Sequence, residues 1–192
     1  MPPDGHVAGV YAATDLAEGV FRPPANRALG WVDDLADEVG DAEHGLLNDL
    51  GVNAIRAFPG RGIRVFGART VAAPGDGGPL RFVNVRRLLV HLEEVIGDGL
   101  QWAVFEPADE QLRAGVRLWL TGVLDGLWRR GALVGDTAAD AYQVRCDQTT
   151  TLPDDQAQGR LVAEVAVAPT VPSEFVVLRV GITLNELQVS EV

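Results

Sequence analysis

The sequence predicts an α+β fold: a mixed or mainly antiparallel sheet packed against two main helices, followed by an extended C-terminal strand. Three observations carry this expectation. Apolar residues recur with the 3.6-residue helical period from Val85 to Ile96 and again from Leu112 to Leu127. Apolar and polar residues alternate with the strand period from Leu161 to Val167 and from Val176 to Leu184. Gly and Pro clusters separate these stretches, which is how short strands are punctuated.

The elements follow in chain order. Pro2-Pro3 and Pro23-Pro24 flag the first thirty residues as loosely structured, with His6 to Ala12 as one short element. Acidic residues from Asp33 to Glu43 precede Leu46, Leu47 and Leu50, which fit one amphipathic helical turn stopped by Gly51. Val52 to Phe58 and Ile63 to Phe66 flank Pro59-Gly60-Arg61-Gly62 and read as a hairpin. Ala72 to Pro79 is a Gly/Pro-rich loop. Asn84 is placed to cap the first main helix, and Gly97-Asp98-Gly99 to end it. Gln101 to Glu106 reads as a strand stopped by Pro107. Asp109 caps the longest helix, and Arg129-Arg130-Gly131 closes it with cations at the negative end of its dipole. A helical turn after Asp136, a strand from Tyr142 to Cys146 and a polar loop from Asp147 to Gln158 lead into the last two strands.

Composition narrows the function classes. Charged residues are 22% and hydrophobic ones 47% of 192, which fits a folded domain and not a disordered chain. Sixteen basic residues, all arginine, face 27 acidic ones, and the net charge of -11 repels phosphate backbones. No apolar run approaches the roughly 20 residues that a membrane-spanning helix needs. Neither a nucleic-acid partner nor a membrane span is expected. Cys146 is the single cysteine, so no internal disulfide can form, and the start of the chain has no signal-peptide pattern, so assembly in the cytoplasm is expected.

No constellation of catalytic residues stands out, and neither a cofactor nor a metal is expected. Cys146 and His91 could in principle serve as nucleophile and base, but no signature surrounds either, and a strand cysteine is commonly a core residue. His6, His44 and His91 lack metal-ligand spacing. Gly75-Asp76-Gly77-Gly78 lacks the lysine and the following helix of a phosphate loop.

Several segments, taken in order, resemble the contractile tail sheath proteins of phages and phage-like injection machines. They are Pro23 to Asn26, Leu47 to Thr70, Arg81 to Glu94, Gln101 to Pro107, Leu127 to Gly135, Tyr142 to Thr149 and Glu174 to Gly181. The match corresponds to the family's C-terminal domain only. The resemblance implies a structural role: subunits in stacked six-membered rings, wound around an inner tube on a baseplate, whose contraction drives the tube through an envelope. It implies partners of three kinds, namely further copies of the chain, the inner tube protein and the baseplate. It also implies that terminal arms add strands to a neighbour's sheet.

On this reading residues 1–30 are an extended segment left from a longer chain, 31–181 the core domain and 182–192 a C-terminal arm. Ile182, Leu184, Leu187 and Val189 are its expected inter-subunit residues, and the alternation shifts by one at Asn185-Glu186, where a bulge or turn is expected. Arg129 and Arg130 are the candidate contact with the inner tube. The rival readings are a monomeric binding module whose C-terminal strand docks on itself and a small enzyme of unknown reaction.

Overall fold

The computed structural model describes residues 2–72, 78–174, 178–183 and 186–191. The chain opens with helix α1 (Asp4–Ala17), where an extended segment was expected. Pro2 and Pro3 stand before the first helical residue, where proline is tolerated, and the alanines that follow favour the helix. Val10 and Thr14 are its buried positions, and Asp15 forms a two-point ion pair with Arg87 further along the chain.

The strand β1 (Arg27–Ala28) leads to α2 (Asp41–Asp49), then β2 (Ala54–Phe58) and β3 (Gly62–Phe66). These strands form an antiparallel sheet in the order β1-β3-β2, with Ile55 opposite Val65 and Arg56 opposite Arg64. The expected hairpin around Pro59-Gly60 is present. Gly51 ends α2 with φ of 76° and lies so close to the Thr70 carbonyl that a side chain would collide with it.

The two main helices are α3 (Val83–Gly99) and α4 (Glu110–Arg129). Asp109 caps α4 by accepting from the Leu112 amide at 2.8 Å, as the sequence predicts. Asn84 does not cap α3, because it lies inside the first turn, behind Phe82. Its side-chain amide instead donates to the carbonyls of Phe21 and Thr170, both at 3.0 Å. Gln101 to Glu106 is not a strand but a short 3₁₀ turn at Gln101–Ala103 and an open link. The chain must reverse between two helices within residues 100–109, and Pro107 removes a ladder donor, so the short apolar run from Trp102 to Phe105 finds no partner strand among the described residues.

After α5 (Ala138–Ala141) come β4 (Tyr142–Arg145), α6 (Pro153–Ala157) and β5 (Glu164–Val167). The strands β4 and β5 pair antiparallel, with Val144 opposite Val165. Their inner side chains cover α3 and α4 in two adjoining clusters. One holds Leu88, Leu92, Leu124 and Leu127; the other holds Leu112, Val116, Leu120 and Cys146. Finally β6 (Leu178–Thr183) and β7 (Glu186–Glu191) pair antiparallel with each other. The architecture is α+β with antiparallel pairing throughout the described residues, divided among three small sheets instead of the one that was expected.

Candidate functional site

The residues expected to carry function divide between the C-terminal segment and the end of α4. The C-terminal segment leaves the core along a fastened strap. The Ala168 amide donates to the Ala141 carbonyl at 2.9 Å, and the Thr170 amide to Ala132 at 3.1 Å. The Thr170 hydroxyl reaches Gly131 at 2.9 Å while its carbonyl accepts from Asn84. The strap ends in an ion pair that sequence reading missed. Arg69, only 10% exposed, donates to both oxygens of Glu174 at 2.7 to 3.2 Å and to the Asn48 carbonyl at 2.6 Å. The Glu174 hydrogen bonds raise the Arg69 pKa above its ordinary value. No local spacing signals a pair 105 positions apart.

Beyond this clasp the hairpin stands as its own sheet. Thr183 pairs with Glu186, Ile182 with Leu187, Val180 with Val189 and Leu178 with Glu191. Asn185, where the bulge or turn was expected, lies outside the described residues. Ile182 lies in β6, its backbone paired with Leu187; Leu184 lies outside the described residues. Among the described residues neither strand pairs with any other, so each has one edge of unpaired backbone donors and acceptors. The β4–β5 sheet likewise has no third strand among the described residues. A two-stranded ribbon is marginal alone, and an unpaired edge is a template for another strand.

Arg129 and Arg130 are neighbours in sequence and partners of different groups. Arg129 is 75% exposed and forms an ion pair with Asp125 one turn back, at 2.8 Å. Arg130 lies over the ring of Phe21 at 5.5 Å, so it secures the segment that follows α1. The two do not form one outward pair of free cations.

The chemical candidates are dispersed. Cys146 is fully buried among Leu112, Val116 and Leu120, a cluster that does not contain His91, and burial pushes its thiol pKa up, away from the reactive thiolate. His44 bonds the Phe66 carbonyl at 3.0 Å and rests beside the Phe66 ring. Among the described residues no three His, Cys, Asp or Glu side chains gather as metal ligands, and no helix is long and apolar enough to cross a membrane. The Gly75 to Gly77 part of the glycine-rich loop lies outside the described residues.

The comparisons with known proteins point to one family. A family model described as the phage tail sheath C-terminal domain matches residues 76–183, more than half of the chain. The tail sheath protein of Vibrio phage KVP40 is 26% identical over 195 residues, covering 100% of this chain and 28% of its own length. That of Burkholderia phage BcepMu is 26% identical over 197 residues, covering 97% of this chain and 39% of its own. A chain in the six-fold symmetrised baseplate of the anti-feeding prophage superimposes with a TM-score of 0.88 at 36% identity, over 95% of this chain and 51% of that one. A chain in the contracted sheath complex of PVC, an extracellular contractile injection system, gives 0.87 at 34% identity, over 96% and 51%. This chain thus spans about half of those solved chains and less of the curated relatives. Sequence family and backbone agree, and the chain belongs to the phage tail sheath family through its C-terminal domain.

Proposed function

We propose that this chain is a structural subunit of a contractile sheath, one that polymerises helically around an inner tube and contracts to drive the tube through a target envelope. The observation that carries the reading is the β6–β7 hairpin, a two-stranded sheet that pairs with no third strand among the described residues, in a chain that superimposes on a component of a contracted sheath complex. In this reading copies of the chain form six-membered rings stacked helically on a baseplate, and cytoplasmic assembly precedes use. The hairpin adds to the sheet of a neighbour, where backbone hydrogen bonds give affinity and alternating side chains give fit. The arm is then the hairpin unit 178–191, with Ile182, Leu187 and Val189 in its paired strands and Leu184 between them. Each junction is weak alone, and repetition around a ring makes the set strong through effective concentration. No reaction is assigned to the chain, since the lone thiol is sealed in the core.

One observation favours a second reading. The hairpin satisfies six backbone pairings within the chain itself, which suits a monomeric module with a self-docked tail. Electron microscopy of the purified protein, alone and with its tube protein, separates the two. Rings or tubes support the sheath subunit, and a monodisperse particle under every condition supports the module.

A further inference from the structure

The charges of this chain are segregated in a way that its net value hides. From Leu50 to Gly75 there are four arginines and no acidic residue; from Leu88 to Leu112 there are six acidic residues and no arginine. The first stretch contains the β2–β3 hairpin, with Arg61 in its turn and Arg64 in the middle of β3, opposite Arg56. Arg61 and Arg64 bond Asn26 and a backbone carbonyl, and neither forms an ion pair among the described residues. Arg61 also lies over the ring of Phe58 at 5.3 Å.

The second stretch contains the link between α3 and α4, where the expected strand failed to form. Phe105 is fully exposed and sits at φ of 70°, a conformation that a bulky side chain rarely adopts. Trp102, about half exposed, lies against Gly115 of α4, and the largely exposed Leu118 follows one turn along that helix. Asp98 and Glu106 flank this apolar wedge, exposed and without ion pairs among the described residues. Aromatic side chains surrounded by uncompensated charge mark an interface more than a solvated surface.

The two surfaces belong to opposite ends of α3. The hairpin joins the helix at its start, where the Val83 amide donates to the Ala68 carbonyl at 2.8 Å, and the wedge follows its end. Seventeen residues of helix span about 25 Å. No hairpin residue is among the members of either cluster that surrounds α3 and α4, and Arg61 on one surface and Asp98, Phe105 and Glu106 on the other are exposed.

We infer that the basic hairpin of one copy docks on the acid-rimmed aromatic wedge of a second copy. Arg61 and Arg64 meet Asp98 and Glu106, and a guanidinium stacks on Phe105 or Trp102. The inference rests on the sheath reading in that both need copies to associate. A contact between two different surfaces of the same chain is head-to-tail, the kind that builds rings or helical polymers and not closed two-fold dimers.

The test uses the purified 192-residue chain and two charge-reversed variants, Arg61→Glu with Arg64→Glu, and Asp98→Arg with Glu106→Arg. Sedimentation equilibrium from micromolar to millimolar protein should show association that weakens as salt rises. Each reversed variant alone should associate about tenfold or more weakly. Their mixture should recover, since every hairpin then faces a wedge of opposite charge. Phe105→Gly suits the backbone at this position, so it should raise the melting temperature while weakening association, a combination that a folding defect cannot produce. Absence of association at millimolar protein and low salt overturns the inference, as does association that charge reversal leaves unchanged or mixing fails to restore. Variants that associate normally but lose binding to the tube protein make the tube the occupant and equally overturn it. Tube-templated assembly of the unaltered chain, seen by electron microscopy, is a separate readout of the sheath reading and can succeed whichever way this contact falls.

Discussion

The α3–α4 core and the C-terminal hairpin are built from the same apolar residue types, yet they close in different ways. In the core Leu88, Leu120 and Leu124 are essentially fully buried, and β4 with β5 covers both helices. The hairpin has backbone pairing but, among the described residues, no further strand on either side. Between them, the strap from Ala168 to Glu174 belongs energetically to the core, through Ala141, Ala132, Asn84 and Arg69. On the sheath reading, stability is expected to reside in the α3–α4 core and assembly in the β6–β7 hairpin.

The sharpest way to break that comparison is to delete residues 182–192. The deletion removes β7, the last two residues of β6 and with them all six pairs of the hairpin, while leaving every strap hydrogen bond in place. Assembly into rings or tubes should be lost entirely in electron microscopy, while the melting curve of the truncated monomer stays cooperative and close to that of the intact chain. Intact assembly by the truncated chain would put the junction elsewhere.

The converse variant is Leu124→Ala. Leu124 has 0% exposure at the centre of the larger cluster, and its truncation leaves a cavity that neighbours on two helices cannot fill. Chemical denaturation should show a loss of about 2–5 kcal/mol. Assembly at low temperature should survive in the fraction that remains folded. A loss of assembly with stability unchanged would show that core and edge are coupled.

The extent to which the sequence foretold each region follows from how local its signals are. Periodicity found both main helices, because an amphipathic face is written in neighbouring turns, and Asp109 was identifiable as a cap from its position alone. The β2–β3 hairpin was equally local, bounded by its Pro-Gly turn. Helix α1 was missed because Pro2 and Pro3 were weighed as breakers, although a proline ahead of the first turn costs a helix nothing. The link after α3 was misread because a short apolar run, Trp102 to Phe105, ended by Pro107 says nothing about whether a partner strand exists. In the candidate site the change of pattern at Asn185-Glu186 was legible, but the pairing of Ile182 with Leu187 was not, since extended arm and hairpin share the same alternation. The clasp of Arg69 on Glu174 joins distant segments, and no pattern in a single sequence announces it.

Cys146 sharpens the comparison from the core side. Its thiol is buried among aliphatic side chains, so Cys146→Ser places a hydroxyl there without a designed partner and should cost about 1–3 kcal/mol. The pH dependence has a definite sign. Burial raises the folded-state pKa above the ordinary 9.0, so the unfolded chain releases this proton first as the pH climbs. The stability tied to the protonated thiol is therefore complete below about pH 9 and is lost as pH rises through the folded value. Tyr11 and Tyr142, whose pKa values burial also raises, add their own alkaline loss. Denaturation midpoints of the Ser variant should fall less steeply above pH 9 than those of the unaltered chain, the difference being the thiol's share. An unchanged slope would mean that the thiol is not held in its neutral form by the fold.

The smallest expected effect concerns the end of α4, where core and surface meet. Arg129 is exposed and bound to Asp125 within one helix turn, a pair of a kind that contributes about 0.3–0.5 kcal/mol. Reversing it in Arg129→Glu also places an anion at the negative end of the helix dipole, at a further cost of about 0.3–1 kcal/mol. Folding should therefore be nearly unaffected. Arg130 is different, because Arg130→Glu removes the cation from the Phe21 ring and loosens the segment behind α1. A double reversal would mix a surface effect with a structural one, so the tube contact is best tested with Arg129→Glu alone, beside Arg130→Ala as the control for loosening. If Arg129 meets acidic groups on the tube, co-assembly with tube protein should weaken at low salt and match the unaltered chain at high salt, where screening has already removed the attraction. Weak contacts of this size would set register along an extended particle and still release on contraction. Co-assembly that is indifferent to the reversal at both salt levels removes Arg129 from the tube interface and leaves the end of α4 as part of the core, with Arg130 its link to the N-terminal segment.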